Sequence, residues 1–87
     1  MPSRSMPHPP HPFVLDVLQA VQRATAGRRQ PFFVSVADLG LPPDPERLNA
    51  AVMLASFSGW LRAGGRPPHS VAITAEGLAI LKERGLA

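Results

Sequence analysis

A chain of 87 residues holds one domain and excludes a multidomain enzyme. Hydrophobic residues at 45% and charged residues at 17% give enough apolar surface for collapse, which excludes wholesale disorder. Cysteine is absent, which removes disulfides, cysteine-held metal centres and thiol nucleophiles. No apolar run approaches the ~18 residues of a membrane span, and the N-terminal residues MPSRSMPHPPHP lack the apolar stretch of a secretory signal. The expectation is a soluble, cytoplasmic protein. The formal net charge is +3, and arginine supplies all the basic side chains except Lys82, a mild lean toward polyanions.

Five of the eleven prolines lie in residues 1–12, which reads as a disordered proline-rich tail ahead of a folded domain over 13–87. Within the tail, His8-Pro9-Pro10-His11 offers two imidazoles but lacks the third and fourth ligands of a closed metal site. A core this small gains from self-association, so a homodimer is expected. From Phe13 to Ala26 the residues Val14, Val17, Leu18, Val21 and Ala24 recur at helical spacing, with Pro12 at a first helical position and Gly27 past the end. Arg28, Arg29 and Gln30 form a polar connector to Pro31-Phe32-Phe33-Val34, whose aromatic and β-branched content predicts a brief strand. Ser35 and Asp38 stand at capping-box spacing and open a short helix that Gly40 ends. Asp44-Pro45-Glu46 then supplies an N-cap, a first-turn proline and an acid at the positive end of a helix running to about Ser58. Trp60-Leu61-Arg62 and Ser70-Val71-Ala72-Ile73 read as two strands around a Gly/Pro-rich loop, and Thr74 caps a last helix ending before Gly85. The fold class is therefore mainly α with a small β-hairpin. Trp60, the single tryptophan, is expected to cap the core over the first helix, or else to stand as an exposed anchor.

The order helix, short strand, short helix, turn, helix, hairpin, helix resembles the winged helix-turn-helix superfamily over roughly residues 13–87. Ala72-Ile73-Thr74-Ala75-Glu76-Gly77-Leu78 is similar to the junction that follows the wing in MarR-like and PadR-like transcription regulators. The resemblance implies a recognition helix beginning at Pro45 and a wing spanning Arg62 to His69.

Two functional readings follow. In the first, a small transcription regulator binds double-stranded DNA without a cofactor. Arg28, Arg29, Arg62, Arg66 and His69 would meet the backbone, while Arg47, Asn49 and Ser56 would reach base edges. In the second, the same fold serves protein interaction as an adaptor or anti-activator. If Leu48, Ala51, Val52 and Ala55 face the core, the opposite side of that helix presents Met53 and Phe57, with Leu54 beside them, where a base-reading helix wants polar side chains. Catalysis is not expected: His69 beside Ser70 lacks a held acid partner, and Gly64-Gly65-Arg66 lacks the phosphate-loop spacing.

Overall fold

The computed structural model describes residues 11–29 and 31–86. Most of the segment expected as a tail, including His8, lies outside the described residues. His11 is the N-cap of the first helix and Pro12 its first residue. α1 (Pro12–Thr25) starts where the His11 imidazole accepts a 3.1 Å hydrogen bond from the Phe13 amide, with Pro12 in the first turn. Its buried stripe is Phe13, Val14, Val17, Leu18, Ala20, Val21 and Thr25. Ala24, expected on that stripe, is exposed, and Thr25 takes the place one residue on. The buried hydroxyl is satisfied locally by donating to the Val21 carbonyl at 2.9 Å, so burying threonine leaves no orphan polar group.

The predicted strand at Pro31–Val34 contracts to β1 (Val34–Ser35). Phe32 is half-buried and Phe33 stays 45% exposed ahead of the ladder. Ser35 caps a 3-10 turn at Val36–Leu39 by accepting from the Ala37 amide, and Gly40 closes the turn. The short helix expected here is thus one turn of the tighter form. α2 (Pro45–Phe57) begins where the Asp44 carboxylate accepts from the Arg47 amide at 3.2 Å. It ends at Phe57, next to the expected Ser58, and Gly59, with φ of +81°, bonds back to Ser56 while Trp60 bonds back to Ala55.

β2 (Leu61–Gly64) and β3 (Ser70–Ile73) form the predicted hairpin, with Leu61 opposite Ile73 and Gly64 opposite Ser70. β1 pairs with the other edge of β3, Val34 opposite Val71, to give an antiparallel sheet ordered β1-β3-β2. The fold is therefore three helices with a small three-stranded sheet, richer in β structure than a hairpin on a helical body. α1 packs on α2, α3 and β3. The core gathers Val17, Leu18 and Val21 of α1, Val52 and Ala55 of α2, Leu61 and Val71 of the sheet and Leu81 of α3 (Ala75–Glu83). Trp60 lies half-buried against this core.

The junction Thr74–Gly77 ties the hairpin, the end of α2 and α3 together. The Thr74 hydroxyl donates to the Gly59 carbonyl at 2.6 Å and accepts from the Gly77 amide at 3.0 Å. Gly77 is buried, and a Cβ there would overlap the Trp60 carbonyl and come within 2.9 Å of the Ile73 side chain. Alanine favours a helix interior over glycine by ~1 kcal/mol, but backbone overlap outweighs that gain. We expect Gly77→Ala to destabilise the fold by about 2 kcal/mol in urea unfolding followed by Trp60 fluorescence. An unchanged or raised midpoint would contradict this role for the junction.

Candidate functional site

α2 presents two unlike apolar sides. Ala51, Val52 and Ala55 are buried, with Leu48 half-buried beside them, as expected for a core-facing stripe. On the outward side Ala50 is exposed, Met53 is 45% exposed, Leu54 56% and Phe57 84%. Scattered exposed apolar residues need no explanation, but these are successive neighbours at i, i+3, i+4 and i+7 and form one continuous ridge.

Of the residues expected to contact DNA, Asn49, Ser56, Arg62, Arg66 and His69 are linked through adjoining recesses beside α2, whereas Arg47, Arg28 and Arg29 lie elsewhere. Asn49, Ser56 and Arg66 are brought together: with Met53, Phe57 and Pro67 they line an open groove of about 590 Å³ between α2 and the hairpin turn. Asn49 and Ser56 are half-buried in it, whereas Arg66 is exposed at the turn. Arg47 belongs to the other flank of α2. Its guanidinium carbon lies 4.3 Å from the centroid of the Phe13 ring, and it lines a smaller recess of about 200 Å³ with His11, Ala50 and Leu54. That stack spans two helices far apart in sequence, so no local spacing announces it.

Arg62 lies in β2, opposite Ala72, in the strand expected for it. It borders a recess of about 740 Å³ shared with Ser56, Phe33, Thr74 and Glu76, which does not reach the hairpin turn. The turn itself is only Gly65–Pro68, closed by the His69 amide donating to the Gly64 carbonyl at 2.9 Å. His69 sits at its base with its ring against Gly65, while its carbonyl accepts from the Val36 amide at 2.9 Å. Arg28 and Arg29 are exposed beyond the end of α1, where the Arg28 guanidinium lies 5.0 Å from the Phe32 ring centroid. The two residues stand four apart in sequence, outside any helix.

Acidic groups gather at the start of α2. Asp44 is its N-cap and Glu46 lies in its first turn, both exposed, where they complement the positive end of the helix dipole. A helix read into a major groove uses its N-terminal residues on base edges, and these carboxylates would face phosphate there. Among the described residues, no group of three or more His, Asp or Glu side chains could hold a metal ion, and no helix is long and apolar enough to cross a membrane. Comparison with family models, curated proteins and solved structures finds no match.

The Arg47–Phe13 stack gives these arginines distinct roles. We expect Arg47→Ala to lower stability by about 0.5–1 kcal/mol in urea titration, with Arg66→Ala within about 0.5 kcal/mol of the parent, as for an ordinary surface site. Equal losses at both positions would show that the stack contributes nothing.

Proposed function

We propose that this chain is a winged helix domain that works as a protein-docking module, with the outward ridge of α2 as its contact surface. The element order and the strand order β1-β3-β2 support the winged helix reading. The docking reading rests on one observation: Met53, Leu54 and Phe57 are 45%, 56% and 84% exposed on the helix that would otherwise read bases. Leaving such side chains in water forgoes roughly 1.5–3 kcal/mol for each fully buried residue of this type, the gain a partner recovers on covering them. Bulky apolar anchors at the centre of a patch, rimmed by polar groups, are where interfaces concentrate their binding energy. Here the rim is Asn49, Ser56 and Arg66 on one flank and Arg47 on the other.

Binding of double-stranded DNA is the second reading, favoured by the convergence of Asn49, Ser56 and Arg66 on one groove beside α2. Its electrostatic support is thin. On this face Arg47 and Arg66 stand against Asp44 and Glu46. Each phosphate neutralised contributes about −0.9 to the slope of log affinity against log salt, so two contacts give a slope near −2.

A fluorescence titration of mixed-sequence duplex separates the two readings. Docking predicts weak binding with a shallow slope of about −2 or less, unchanged by Phe57→Asp. Tight binding to one sequence, lost in Phe57→Asp or in Asn49→Ala, would place α2 in the groove and overturn the docking reading.

A further inference from the structure

We draw no further inference here: the strongest candidate, the outward ridge of α2 around Met53, Leu54 and Phe57, belongs to the docking surface already described, and nothing in the structure shows what covers it.

Discussion

α2 has apolar residues on two sides, and the core covers only one. The inner side is built from small residues: Ala51 and Ala55 flank Val52 and let the helix approach α1 and β2 closely. The outer side carries the bulk, with Phe57 almost fully in water. A helix apolar on both sides is normally sandwiched between two layers. In the single chain the second layer is missing, because the hairpin turn stands to one side of the ridge and the N-terminal end of α1 to the other.

What holds α2 in that attitude is the cluster of backbone groups at its C-terminal end. Trp60 bonds back to Ala55, its carbonyl accepts from the Thr74 amide at 3.2 Å, and the Thr74 hydroxyl reaches the Gly59 carbonyl. The side-chain-free Gly77 lets α3 lie against the Trp60 carbonyl. The end of α2, the root of the hairpin and the start of α3 are therefore one rigid joint, and the ridge is presented by a fixed scaffold. Preorganisation of this kind lowers the entropic cost of association.

Local signals in the sequence were strong wherever a cap or a break has its own chemistry. Asp44-Pro45-Glu46, Ser35 with Gly40, and Thr74 each mark the boundary they were expected to mark. Signals were weak where the outcome depends on distant neighbours. Phe32 and Phe33 have strand-forming side chains, yet β3 offers pairing only to Val34 and Ser35. Ala24 and Thr25 fit the helical period almost equally, and the rotation of α1 against the core chose the residue whose hydroxyl could bond within its own helix. The arginines were the least legible. Guanidinium groups that composition groups as one basic set are dispersed over a stack on Phe13, a stack on Phe32, a strand face beside Phe33 and Glu76, and a turn beside α2. The apolar outer face of α2, by contrast, was readable from helical periodicity, because the choice of core-facing side left Met53 and Phe57 no interior to enter.

The most direct measurement is the accessibility of the Phe57 ring by NMR, using a soluble paramagnetic chelate on the free protein and again with duplex DNA. If the ridge is a protein-docking face, the ring resonances broaden strongly in the free protein and added duplex makes no difference. Protection that appears when duplex is added would contradict the account.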